Sequence, residues 1–399
     1  MALTLSTKAQ AVKPSSTLSI TAKAKELKEK GIDVVGFGAG EPDFNTPENI
    51  CEAAIEAINQ GFTKYTPASG TLELKKAVCD KFYNFNGLQY NPDQIVISNG
   101  GKHSLTNIFQ AILNPGDEVI IPVPYWLSYP EIVKLADGVP VFVRAEKEQD
   151  YKVTAEQIDA ACTSNTKALI INSPNNPSGM IYTREELEAI AEVVVKRDIY
   201  VVSDEIYENL IYGDNKPVSI ASLGEEIYKR TITCSGLAKS YSMTGWRIGY
   251  TASSKEIAKV MGSVQSHQTS NPNSIAQKAA LEALTGPQAS VKEMNKEFNA
   301  RREYMYERIS NMKYISALKP QGAFYLFVDI HEILEKEYKG STIKDANHLA
   351  KILIEDFNVA VIPCTDFGFS DHIRLSYAIS LEQIKKGLDR IEEFTNQLV

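Results

Sequence analysis

Cysteine is scarce and unpatterned in this chain. There are five, Cys51, Cys79, Cys162, Cys234 and Cys364, an odd number with no CxxC pair. That argues against a disulfide framework and for reduced, mostly buried thiols. The five histidines form no HExxH or HxH pair, so no metal site is expected. No run of 18 apolar residues occurs, which argues against a membrane-spanning helix. The opening MALTLSTKAQAVKPSS has no apolar signal core, and a cytoplasmic protein is expected. An excess of basic charge is also missing. Lys and Arg number 42 against 50 Asp and Glu, for a net charge of −8. Such a surface repels nucleic-acid phosphates, and small molecules are the expected ligands. No GxGxxG joins a first strand to a helix, which disfavours a nicotinamide-dependent dehydrogenase.

What the chain does have is ordinary globular composition over 399 residues, 43% hydrophobic and 23% charged. That length suggests two to three domains and a sizeable core. From about residue 48 to 290, short β-branched runs alternate with amphipathic helices. QIVIS (94–98), EVIIPV, KALIIN (167–172), IYVVSDE, TITCSG and IGYTAS read as strands. His103 to Leu113 carries Leu105, Ile108, Phe109 and Ile112 at helical spacing. TREELEAIAEVVVKR reads as a helix with Thr183 and Glu186 as its capping box. Buried strands alternating with helices predict an α/β fold with a mostly parallel sheet covered on both faces. The tail holds a helix near 287–312, a strand GAFYLFVDI, a helix near 342–357, strands NVAVIP and HIRLSYA, and a helix from Ser380 onward. Residues 48–290 are expected to form a large domain, and 1–47 with 291–399 a smaller α+β domain.

Ligands of open parallel sheets bind beyond the carboxyl ends of the strands. QIVIS is followed by Asn99-Gly100-Gly101-Lys102 and a helix. KALIIN is followed by Ser173-Pro174-Asn175-Asn176-Pro177-Ser178-Gly179. IYVVS leads into Asp204-Glu205-Ile206-Tyr207, and TITC into Ser235-Gly236-Leu237-Ala238-Lys239. Taken singly, each has a plain reading as a turn, a helix cap or a surface lysine. Together, on one edge, they would aim amides, a carboxylate, a phenol and an amine at one crevice.

The segment SGLAKSYSMTGWRIG sets Lys239 eight residues before Arg247 among small residues. It resembles the cofactor-attachment segment of the class I pyridoxal-phosphate-dependent aminotransferases. The resemblance spans essentially the whole chain and includes AGEPDF (39–44), TKYTPASG (63–70), the NGGK loop, PYWLSYP (124–130), NNPSG, SDEIY and the strand of Arg374. The bacterial aspartate aminotransferase branch is the most similar. The resemblance implies the pyridoxal-phosphate transferase fold (fold type I), pyridoxal 5′-phosphate as cofactor, amino and 2-oxo acids as substrates, and a homodimer with shared active sites.

It also implies roles. Lys239 would form an imine with the cofactor aldehyde and, once freed, move the proton from the substrate α-carbon. Asp204 would hold the ring nitrogen protonated so that the ring draws electrons. Tyr207 and Asn176 would donate to the phenolic oxygen, and Trp126 would stack on the ring. Gly100, Gly101, Lys102, Ser235 and Arg247 are candidates for the phosphate, with Tyr65 reaching the site of the other subunit. Arg374 would bind the substrate α-carboxylate, helped by Asn176 and the Gly40 backbone. The stretch SHQTSNPNS (266–274) lacks the arginine by which one branch binds the second carboxylate of aspartate. Lys102, a cation at a helix start, wants an anion there. Either the cofactor phosphate or an acidic substrate would serve. Lys13 resembles a residue linked to prephenate as an amino acceptor, and a solvated lysine is an equal reading. The activity expected is transfer of the amino group of aspartate to 2-oxoglutarate. The alternative is another amino acid: aromatic, alanine or prephenate/glutamate.

Overall fold

The computed structural model describes residues 3–399. Its centre is a seven-stranded sheet of β1 (Ile95–Ser98), β2 (Glu118–Val123), β3 (Val139–Arg144), β4 (Thr166–Asn172), β5 (Tyr200–Asp204), β6 (Thr231–Gly236) and β7 (Gly249–Ala252). The spatial order is β1-β7-β6-β5-β4-β2-β3. Neighbours from β6 to β3 pair in parallel, while β7 is antiparallel to both β6 and β1. The inner strands are largely buried apolar runs because both faces are covered, while the edge strand β3 is partly exposed. One face packs on helices Gly101–Ile112, Ser128–Leu135 and Lys255–Gln268, the other on Ala155–Ala161 and Arg184–Arg197.

Local signals hold where they are strongest. Leu105, Ile108, Phe109 and Ile112 form the buried stripe of helix Gly101–Ile112. The capping box forms as expected: the Thr183 hydroxyl accepts from the Glu186 amide at 3.2 Å, and the Glu186 carboxylate accepts from the Thr183 amide at 2.7 Å.

The antiparallel course of β7 has a simple origin. A parallel return needs a crossover, usually through a helix. The chain between Gly236 and Gly249 holds only a single 3-10 turn, Thr244–Trp246. It leaves β6 at the carboxyl edge, stays on that edge and re-enters the sheet from there. Lys239 and Arg247 are both strung along this edge as a result.

The smaller α+β part holds a four-stranded sheet in the order Ile362–Pro363, His372–Ser376, Tyr325–Asp329, Ser316–Ala317. Helices Ala289–Ser310, Ala346–Asp356 and Leu381–Asn396 enclose its core. The single strand read in NVAVIP is two. Val359–Ala360 pairs with Val35–Gly36, and Ile362–Pro363 pairs with the Arg374 strand. The chain crosses from one sheet to another at Val361, which a run of buried β-branched residues does not reveal. Among the described residues no helix is long and apolar enough to cross a membrane.

Candidate active site

The carboxyl edge of the central sheet faces the smaller part across a cavity of about 740 Å³. β5 ends at Asp204, level with Asn172 of β4 and Cys234 of β6. Asp204 is buried at the cavity floor. Its carboxylate accepts from the Tyr129 hydroxyl at 2.7 Å and from the Ile206 amide at 3.3 Å. Burial outweighs both bonds and pushes its pKa up to about 6.

Lys239 enters from the β6–β7 connection, and its ammonium donates to the Gly40 carbonyl. Burial lowers its pKa to about 8. Tyr207, buried beside them, shares a hydrogen bond of 3.0 Å with the Tyr325 hydroxyl. Trp126 meets Tyr129 edge-on, and the Lys102 ammonium lies 5.0 Å from its ring centre. Partial burial, then the Arg247 charge, lowers the pKa of Lys102.

The turn after β1 is built for close approach. Gly100 has φ +90°, and a Cβ there would sit 2.4 Å from Arg247 Nη2. Gly249 lies on the other side, where a Cβ would meet the Gly101 amide nitrogen at 2.5 Å. Helix Gly101–Ile112 therefore starts flush against Arg247. The amides of its first turn have no acceptor within the helix and point at the same space. The Gly100 amide is already bonded to Ser98 at 2.8 Å, so its contribution is the turn and not a donor.

Arg374 is 2% exposed. One terminal nitrogen donates to Asn176 Oδ1 at 3.0 Å and the other to the Gly38 carbonyl at 3.3 Å. Nε has no partner, and the guanidinium lies 4.2 Å from the Tyr325 ring centre. Among the described residues no carboxylate pairs with Arg374, Arg247, Lys102 or Lys239. Arg374 is buried and Lys239 half-buried, and buried charge without a partner is costly, so this arrangement suits an anionic ligand. Because Arg374 occupies Asn176 Oδ1, the Asn176 Nδ2 remains as a donor into the cavity.

Gly40, Gly101, Lys102, Trp126, Asn176, Asp204, Tyr207, Lys239, Arg247 and Arg374 all reach this cavity. Three expected residues do not: Gly100, which shapes the turn, Ser235, and Tyr65, which was expected at the other subunit's site. Ser235 points away: its hydroxyl donates to Glu208 Oε1 at 2.8 Å, because side chains alternate along β6 and Cys234 takes the opposite face. It is not a phosphate ligand in this geometry. Tyr65 is 90% exposed and lies outside the chain's own cavity. Tyr129, Tyr325, Gly38 and Thr17 line or close the site and were not singled out from the sequence. Tyr129 had a legible signal, one helical turn after Trp126 in PYWLSYP. Tyr325 had none, since GAFYLFVDI reads as a core strand. Only its pairing with the Arg374 strand, Phe327 opposite Arg374, brings it in.

These residues fit pyridoxal phosphate. A buried carboxylate can face a pyridine nitrogen, a helix start with Arg247 can hold a phosphate, and a lysine of lowered pKa can meet an aldehyde. The two shifted groups also dictate a pH dependence of the cofactor-free protein. Folding raises the Asp204 pKa from 3.8 to about 6, so the folded state binds more protons across that window and stability falls as pH rises through it. Folding lowers the Lys239 pKa from 10.5 to about 8, so the unfolded state binds more protons there and stability rises with pH. Urea unfolding across both windows should show the first slope flattened by Asp204→Asn and the second by Lys239→Met. Slopes unchanged in both variants would assign them to other groups.

Comparison with known proteins agrees with the geometry. Residues 32–391 match the family described as aminotransferase class I and II. The chain is 52% identical to the aspartate aminotransferase of Bacillus sp. (strain YM-2), covering 98% of each. It is 47% identical to the aspartate/prephenate aminotransferase of Cereibacter sphaeroides, covering 96% of each. The structure of the aspartate aminotransferase from Thermus thermophilus with maleate superposes with a TM-score of 0.93 at 44% identity, over 98% of this chain and 100% of that one. The architecture is fold type I of the pyridoxal-phosphate-dependent transferases. The chain belongs to the class I and II aminotransferases.

Proposed function

We propose that the chain transfers the amino group of aspartate to 2-oxoglutarate, giving oxaloacetate and glutamate, in two half-reactions on one site. The observation that carries this is the convergence of Lys239, Asp204 and a carboxylate-less Arg374 on one cavity. Pyridoxal phosphate, when bound, supplies the aldehyde that receives the amino group and a ring that accepts the electrons freed at the substrate α-carbon. The Lys239 amine would hold the aldehyde and later carry the proton at the α-carbon. Its pKa of about 8 keeps a usable share of neutral amine near neutral pH. Asp204 would keep a proton on the ring nitrogen, oriented by Tyr129. Tyr207 and Asn176 Nδ2 would donate to the phenolic oxygen, and Trp126 would cover the ring. Arg374 would take the α-carboxylate bidentately.

The second carboxylate is assigned to Lys102. Its place beside Trp126 and the absence of arginine from SHQTSNPNS support this, as does the dicarboxylate in the Thermus thermophilus structure. Prephenate as a further amino acceptor is the second reading, favoured by the name of the Cereibacter sphaeroides relative. A homodimer with shared sites is supported by Tyr65, a tyrosine held almost wholly in solvent. Residues 48–290 are taken as the cofactor-binding domain and 1–47 with 291–399 as the smaller one. The pairing of Val35–Gly36 with Val359–Ala360 supports that split. A cytoplasmic location is in keeping with five free cysteines.

Three measurements test this reading. Lys239→Ala should retain cofactor by its phosphate, show no borohydride-reducible link and lose nearly all transamination; substantial turnover without added amines would refute it. Lys102→Ala should lower kcat/KM for aspartate and glutamate by roughly 10- to 150-fold, the worth of one charge-assisted hydrogen bond, and spare alanine and phenylalanine. An equal loss for all substrates, with weaker cofactor binding, would move Lys102 to the phosphate. Inactive Lys239→Ala and Tyr65→Ala chains, mixed and refolded, should regain some activity through one intact site per dimer. A fully active monomer would overturn shared sites.

A further inference from the structure

Behind the cavity, on the far side of the sheet edge, lies a buried charge cluster that the proposed chemistry does not use. Glu208, 3% exposed, accepts from the Lys81 ammonium, from Asn86 Nδ2 at 3.1 Å and from the Ser235 hydroxyl at 2.8 Å. Lys81 also donates to Asn86 Oδ1 at 3.0 Å and lies 4.5 Å from the Phe82 ring centre. Asn86 ends the π-helical turn Phe82–Asn86 that follows helix Leu72–Lys81. The neighbouring Glu205 is buried too, held by the hydroxyls of Ser203 at 2.9 Å and Ser219 at 2.7 Å.

Two side-chain bonds, one from Glu208 of this cluster and one from its neighbour Asn209, straddle Lys239. Glu208 follows Tyr207 directly and grips Ser235, four residues before Lys239. Asn209 Nδ2 reaches the hydroxyl of Ser240, the residue after Lys239, at 3.2 Å. The turn that carries Asp204 and Tyr207 is thereby tied on both sides to the segment that carries Lys239. Stability alone is a poor reason for the cluster, because a buried ion pair is often replaceable by apolar side chains without loss. A π turn, likewise, is rare and frequently found at functional sites.

We infer that Glu208 is a positioning residue: through Ser235 and Lys81 it fixes Tyr207 and Asp204 relative to Lys239. The inference rests on Lys239 being the cofactor-bearing lysine. A misplacement of about 1 Å at a reacting centre can cost roughly a hundredfold in rate. Tyr207 and Asp204 would also set the proton affinity of the lysine–cofactor link, so a shift in their position is readable without turnover.

The experiment compares holoenzymes of the wild type, Ser235→Ala, Glu208→Gln and the double variant Lys81→Met/Glu208→Gln. The pH titration of the cofactor's visible absorption, kcat and KM for aspartate, and the thermal midpoint are measured on each. The double variant leaves no lone buried charge at this pair and protects the fold. Glu208→Gln should move the absorption titration and lower kcat about ten- to a hundredfold, with KM within about twofold. Ser235→Ala should move both in the same direction by less. The double variant should recover the thermal midpoint but not the titration or kcat. Variants that lose thermal stability yet titrate and turn over as the wild type does would overturn the inference, as would full recovery in the double variant. A wild-type holoenzyme without a lysine-linked absorption band would instead refute the cofactor assignment.

Discussion

The guanidinium of Arg374 is a buried charge with no carboxylate of its own, and the working end of the molecule is organised around that deficit. Its two partners in the chain are neutral, Asn176 Oδ1 and the Gly38 carbonyl, and its Nε has none. Neutral acceptors soften the cost of burying a cation but do not cancel it. Half-buried Lys239 and the exposed Lys102 and Arg247 also face the cavity without ion-pair partners among the described residues. A site assembled in this way is complementary to anions, and an amino-acid dicarboxylate with a phosphorylated cofactor brings several.

Holding such a site open demands rigid neighbours. A hydrogen-bonded relay runs from the Asp204 carbonyl through the Asn172 side chain to the Asn176 amide, and from Asn176 Oδ1 to Arg374. It joins the floor of the central sheet to the strand of the smaller part. Glycines 100 and 249 let the start of helix Gly101–Ile112 press against Arg247, where any side chain would collide with backbone or guanidinium. The lone antiparallel strand β7 completes the scaffold by keeping Lys239 and Arg247 on the reactive edge.

Much of the site was legible because its residues follow strands, and strands followed by polar loops can be read from a buried run and its end. Lys239, Asp204, Asn176 and the glycine turn fall in this class. Arg374 was legible only by resemblance, since a lone strand arginine has no local signature of burial. Ser235 shows the opposite failure. Its place near Lys239 suggested a phosphate ligand, but the alternation of β6 turns it to Glu208. Sequence proximity carries no information about which face a side chain takes until the end of the strand is known.

The amino-acid sequence by itself determined six of the seven central strands, helices such as Gly101–Ile112 and the capped Arg184–Arg197, and the chemistry of the loops between them, because these depend on neighbours a few residues apart. Only the tertiary structure decided the antiparallel course of β7, the splitting of NVAVIP between two sheets, and the meeting of Tyr325 with Tyr207 and of Arg374 with Asn176. These contacts join residues 118 and 198 positions apart. They arise where loops beyond the central strands meet the strands of the smaller sheet. No local pattern encodes that packing, because its energy comes from surfaces that touch only once the whole chain has folded.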